Sequence, residues 1–106
     1  MFEVLLAPSA VVAFRALAAR GRATVRDAME RHLRHEPDRT SKSRIKRLRG
    51  LSHPQYRLRV DDIRVFYDIT EKTVEVLAIV GKAEAAGWLA TEGAPAEGDR
   101  TRQGEG

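Results

Sequence analysis

Cysteine is absent from this 106-residue chain, so neither a disulfide nor a thiolate metal site can form. Long apolar runs are absent as well. No stretch approaches the roughly 20 residues of a membrane-spanning helix. The opening segment, Met1 to Ala7, lacks the basic region of a signal peptide and is too short for its apolar core. It reads better as a first strand. No internal repeat is present, which excludes solenoid architectures. Together these absences point to a small cytoplasmic domain with no membrane partner, no metal and no cofactor.

Acids are also scarce where bases are dense. Residues 39–64 hold nine basic residues and only two acids, Asp61 and Asp62. The whole chain carries +4, so the remainder is net negative and the molecule is polarised. Such polarity suits capture of a nucleic acid or an acidic protein. A solvated basic loop that keeps the protein soluble would leave the same composition.

Hydrophobic content of 42% supports one modest core. Phe2 to Ala7 reads as a strand. Pro8-Ser9 opens a helix, since proline is favoured in the first turn. Ala10, Val11, Phe14, Leu17 and Ala18 recur at helical spacing, with Gly21 as the expected stop. A second helix runs from about Arg22 to before Pro37, with Val25, Ala28, Met29, His32 and Leu33 inward. Short loops make consecutive helices an antiparallel pair. Arg44 to Leu48 can carry a little extended structure. Three strands follow, Tyr56–Val60, Ile63–Thr70 and Thr73–Val80, and then a short helix from Lys82 to Leu89. The fold class is α+β: an N-terminal strand and helical hairpin on a small antiparallel sheet, with a short C-terminal helix. Residues 1–90 form the domain, and 91–106 read as a disordered tail.

The strand sequences carry the functional signal. Turns at Asp61-Asp62 and Glu71-Lys72 set the registers. Val60 faces Ile63, Arg59 faces Arg64, Leu58 faces Val65 and Arg57 faces Phe66. In the second hairpin Phe66 is expected opposite Leu77, and Asp68 opposite Glu75. One face is then an apolar wall that includes Leu58, Val65, Tyr67, Val76, Ala78 and Val80. The other carries Arg57, Arg59, Arg64, Phe66, Asp68, Glu75, Leu77 and Ile79. Like charges facing each other across a ladder cost stability. Three guanidinium groups on one face therefore point to an anion from outside, and phosphate suits the arginine fork. Phe66, Leu77 and Ile79 on that same face need cover. Either the terminal helix with Trp88 supplies it, or a partner protein does.

Lys46-Arg-Leu-Arg-Gly-Leu51, Tyr56-Arg-Leu-Arg-Val60, Ile63-Arg-Val-Phe-Tyr-Asp-Ile69 and Val76-Leu-Ala-Ile-Val-Gly-Lys82 occur in the order strand, helix, helix, three strands. Together with the opening Phe2 to Ala10, this ordered set resembles the RelE/ParE superfamily of bacterial toxins over residues 2–90. The resemblance implies a toxin paired with an antitoxin that wraps it. RelE-like members cut messenger RNA at the ribosome, and ParE-like members poison DNA gyrase. The basic positions of the RelE-like site correspond to Arg57, Arg59 and Arg64. The family's further arginine and its tyrosine or histidine correspond to Ala83 and Leu89, so those groups are missing here.

Metal-free RNA cleavage needs a base for the 2′-OH, cations for the phosphate and an acid for the leaving oxygen. The arginines serve only the second task, because guanidinium stays protonated. His53 is the candidate acid–base group beside Arg57, Arg59 and Arg64, with Lys46 and Lys82 as further candidates; as part of a Ser-His-Pro turn it also reads as an exposed loop histidine. Arg44, Lys46, Arg47, Arg49 and Lys82 are candidate nucleic-acid contacts. Phe66, Leu77, Ile79 and Trp88 are candidate partner contacts. Three functions stay open: a ribosome-dependent messenger RNA endonuclease, a non-nucleolytic gyrase-binding toxin, and a module that binds only its antitoxin.

Overall fold

The computed structural model describes residues 1–96. In chain order the elements are β1 (Glu3–Leu6), α1 (Pro8–Ala16), α2 (Ala19–Ala28), β2 (Ile45–Arg47), β3 (Leu51–His53), β4 (Tyr56–Val60), β5 (Ile63–Thr70), β6 (Thr73–Gly81), α3 (Ala85–Glu92) and β7 (Ala94–Pro95). The main sheet runs β1-β6-β5-β4-β2, and β3 pairs with β7 in a separate two-stranded ribbon. The α+β class is as expected. The sheet, however, is mixed and not purely antiparallel, because β1 lies parallel to β6. After β1 the chain leaves through two helices, so the strand returns beside the last-made strand and not as a hairpin.

The helices differ from the sequence reading at their junction. Gly21 does not stop α1; it lies inside α2. The break comes earlier, where Leu17 and Ala18 are extended at ψ 150° and 157°. Arg22 supplies the cap: its Nη1 donates to the carbonyls of Leu17 and Arg15 and satisfies the end of α1. Beyond Ala28 the helix widens into π-helical winding over Met29–Leu33. That winding turns Met29 and Leu33 inward, both buried with Val25. Phe2 N–H donates to Arg34 O at 2.8 Å and ties the start of β1 to the end of this helix.

The core lies between the helices and one sheet face. Leu58, Val65, Tyr67, Val74 and Val76 are fully buried there against Ala10, Val25, Met29, Leu33 and Ile45. Each such aliphatic side chain contributes about 1.5–3 kcal/mol by leaving water. Tyr67 stacks on Tyr56 at 5.6 Å and donates its hydroxyl to Pro37 O at 2.6 Å. Burial raises the Tyr67 phenol well above its ordinary value, so it remains a donor.

The β4–β5 register matches the expectation at all four pairs, Val60↔Ile63 through Arg57↔Phe66. The β5–β6 register matches only at its turn end, with Asp68 opposite Glu75. A bulge at Leu77 then places Phe66 opposite Ala78 and Val65 opposite Ile79. One extra residue inverts every side chain beyond it. Ile79 therefore joins the core wall, while Ala78 and Val80 pass to the other face.

The domain also extends past residue 90. Helix α3 reaches Glu92, and Ala94–Pro95 clip onto β3, which corrects the expected boundary for residues 91–96. Ala96 N–H donates to Gly50 O at 2.9 Å, and Ser52 Oγ donates to Pro95 O at 3.2 Å. Gly93 makes the exit possible, because a Cβ there would stand 2.6 Å from Leu89 O. The rest of the expected tail, 97–106, lies outside the described residues.

Candidate nucleic-acid interface

Alternation along three neighbouring strands builds the basic face. Lys46 stands opposite Arg57, and Arg57 opposite Phe66. In the next row Arg59 stands opposite Arg64, and its N–H donates to Arg44 O at 2.8 Å. Two of the predicted nucleic-acid contacts, Arg44 and Lys46, thus extend the predicted arginine trio across the β2 edge. None of these five cations makes an ion pair among the described residues. An internal carboxylate at each would have left no anion receptor.

The charges are close enough to act on one another. Arg57 is held below its ordinary pKa first by burial, then by Arg64 and by Arg59. It stays protonated at neutral pH, and burial is the larger cause, with the neighbouring like charges adding to it. Its Nε is buried and has no hydrogen-bond partner among the described residues. A buried donor left unmade costs about 1–3 kcal/mol. An anion accepting from that nitrogen would recover the loss. Arg64 is less free than its sequence suggested. It is 8% exposed, and its Nη1 donates to Asp61 O at 2.8 Å and to Ile63 O at 3.0 Å. Part of Arg64 therefore locks the turn, where Asp61 is left-handed at φ 52°. Arg59 remains exposed.

His53 is not the loose loop histidine of the alternative reading. It ends β3, and its Nδ1 lies 2.6 Å from Asp68 Oδ2. Asp68 is buried, and its other oxygen accepts the Gln55 N–H at 2.7 Å. A carboxylate on Nδ1 favours the Nδ1–H tautomer and leaves Nε2 as the base. The His53 side chain is 62% exposed. Asp68 shares the face of Arg64 but lies about 13 Å along the same strand, at ~3.3 Å per residue. Arg57 is diagonal to both. The sequence placed Asp68 on this face; its pairing with His53 was not legible, because β3 was not foreseen.

The other candidates fall elsewhere. Arg47 lays its guanidinium over the Tyr56 ring at 5.3 Å and donates to Gln55 O at 2.8 Å, so it braces the β2–β4 edge. Arg49 is exposed in the turn between β2 and β3. Lys82 is exposed and shares the lining of a shallow cleft with Asp62 and Glu84, away from the arginine rows. Phe66 and Ile79 have no surface to offer a partner. Phe66 is covered by Trp88, with ring centroids 5.0 Å apart and planes within 8°, so α3 supplies the cover. Leu77 is half-buried at the bulge, where its carbonyl accepts from Ser9 Oγ at 3.3 Å. Among the described residues no cluster of carboxylates and histidines could hold a metal, and no helix is long and apolar enough to cross a membrane.

Comparison with family models finds no match, and comparison with curated proteins finds none either. Solved structures do match. A chain of the RelB–RelE antitoxin–toxin complex from Methanococcus jannaschii superposes with a TM-score of 0.60 over 79% of this chain and 96% of that chain, at 18% identity. The fold is RelE-like. A chain of the archaeal RelE–RelB complex from Pyrococcus horikoshii OT3 also matches, at 21% identity and a TM-score of 0.49 over 76% of this chain and 94% of that chain.

Proposed function

We propose that this chain is the toxin of a toxin–antitoxin pair and cleaves messenger RNA at the ribosome in the cytoplasm. One observation carries the reading: Lys46, Arg57, Arg59 and Arg64 share one sheet face, none of them in an ion pair among the described residues, and Arg57 keeps a buried donor unmade. Arg57, Arg59 and the outer part of Arg64 would hold the scissile phosphate and offset the charge of its five-coordinate state. His53 Nε2 would take the proton of the 2′-OH, with Asp68 stabilising the resulting imidazolium. The 2′ oxygen attacks phosphorus as the P–O5′ bond breaks, and the departing O5′ takes a proton from Lys46 or water. The products are a 2′,3′-cyclic phosphate and a 5′-OH end. A strand held in line for attack lowers what these groups must supply.

The RelE-like fold, found in antitoxin–toxin complexes, supports a cognate antitoxin as partner. Its carboxylates would meet the arginine face, so its affinity should fall steeply with salt. Ala83 and Leu89, which lack the family's functional groups, favour the competing reading of a toxin that binds DNA gyrase.

Inducing the chain while mapping transcript ends separates these readings. We expect new ends within translated messages, lost in Arg57→Ala and reduced in His53→Ala and Asp68→Asn. Intact transcripts with accumulating double-strand DNA breaks would overturn the nuclease reading.

A further inference from the structure

We propose that the cleft between the π-helical end of α2 and the loop entering β2 is a second phosphate seat, for single-stranded RNA that continues around the β2 edge from the arginine face. The inference rests on the nucleic-acid reading above and adds to it a site on the opposite, helical side of the sheet.

The cleft is lined by Arg31, His32, Glu36, Arg39, Ser41 and Arg44. Its cations come from three separate pieces of chain: the π-helical turn, the loop at Arg39, and the approach to β2. Glu36 is the only carboxylate of this lining and is already paired with Arg39 at 3.0 Å. Arg31 and Arg44 make no ion pair among the described residues. Both charges bear on His32, whose pKa is lowered first by burial and then by Arg44 and Arg31. Two unpaired guanidinium groups thus converge on one half-buried side chain. Folding gains nothing from that convergence, and an incoming anion would relieve it.

The backbone around Arg44 is fixed before any ligand arrives. Ser41 Oγ accepts the Arg44 N–H at 3.0 Å, and Ser41 N–H donates to Ile45 O at 2.9 Å. Arg44 O in turn accepts the Arg59 N–H. Arg44 therefore sits on the crest between the two sites. A neighbouring cleft, lined by Arg31, Arg44 and Arg59 together with Asp27 and Asp61, joins them. Its two carboxylates make it a passage and leave the first cleft as the seat. Ile45, the one large apolar residue of this lining, is 3% exposed and belongs to the core. A chain that carries charge at regular intervals fits better than an acidic protein helix.

The test is fluorescence anisotropy with the full chain and labelled 2′-O-methyl RNA, which cannot be cleaved. Oligomers of about 5 and about 15 nucleotides are titrated from 50 to 200 mM salt. Arg31→Gln and Arg44→Gln should weaken the longer oligomer about 3- to 10-fold and lower its salt slope by about 0.7 per lost phosphate contact. Arg31→Gln should leave the shorter oligomer unchanged. Arg20→Ala, an exposed cation elsewhere on α2, should change neither. The proposal is overturned if Arg31→Gln binds the longer RNA like the parent chain, if it loses equally on both lengths, or if Arg20→Ala matches its effect. It is also overturned if Arg31→Gln weakens an acidic 15-residue peptide but not RNA. Arg57→Ala separates the two levels. If it spares both oligomers, the arginine-face reading fails, whatever Arg31 does.

Discussion

The two faces of the main sheet come from the same alternation and obey opposite rules. On the helical face, Leu58, Val65 and Val76 are fully buried among partners that complement them. On the other face, Arg57, Arg59 and Arg64 are crowded by one another. The first face is arranged for stability, because each contact there removes apolar surface from water. The second gives up stability, and Phe66 beneath Trp88 is the apolar anchor that holds α3 against it. A sheet that tolerates repulsion on one face must be stabilised by the other.

Substitutions can break this contrast or sharpen it. The largest loss of stability belongs to the helical face. Leu58→Ala should cost about 2–5 kcal/mol of unfolding free energy through the cavity it leaves, read by urea denaturation. Arg57→Ala should do the reverse. Cleavage should fall about 10²–10³-fold, as for loss of one charge-stabilising donor. Its melting temperature should stay equal or rise, because the orphaned donor and the repulsion both disappear. A drop in melting temperature with cleavage intact would make Arg57 a structural residue and erase the distinction between the faces. Trp88→Ala is intermediate, at about 1–3 kcal/mol, since it removes a stacked pair and bares Phe66. A rise in dye binding to exposed apolar surface would report it.

The smallest effect concerns pH. His32 has a folded pKa below its ordinary 6.5. Between those two values the unfolded chain binds more protons, so stability rises with pH through that window and is lost as pH falls below about 6.5. His32→Gln should flatten the decline in melting temperature toward pH 5 and leave its value at pH 7.5 nearly unchanged. An unchanged slope would show that His32 feels neither Arg31 nor Arg44.

Much of the sheet was legible from local pattern. The Asp61-Asp62 turn fixed the β4–β5 register, because a two-residue turn between alternating strands leaves one pairing that buries Leu58 and Val65 together. The arginine trio followed directly. The Leu77 bulge was not legible: Val76-Leu-Ala-Ile-Val80 is apolar throughout, so alternation gives no mark of an inserted residue. Ile79 was therefore placed on the wrong face. Gly21 misled because glycine tolerates a helix at modest cost, while the real break at Leu17-Ala18 depends on a cap from Arg22. The ribbon of β3 with β7, and with it the His53–Asp68 pair, depends on residues about 40 positions apart meeting after α3 docks.

By itself, then, the chain determined its periods, its turns and the crowding of positive charge onto one sheet face, because these depend on residues a few positions apart. Only the tertiary structure decided that β1 runs parallel to β6, that Trp88 caps Phe66, that Arg31 and Arg44 line one cleft, and that His53 finds a carboxylate. Each of these requires two distant segments to pack, and no local pattern records where packing will bring them.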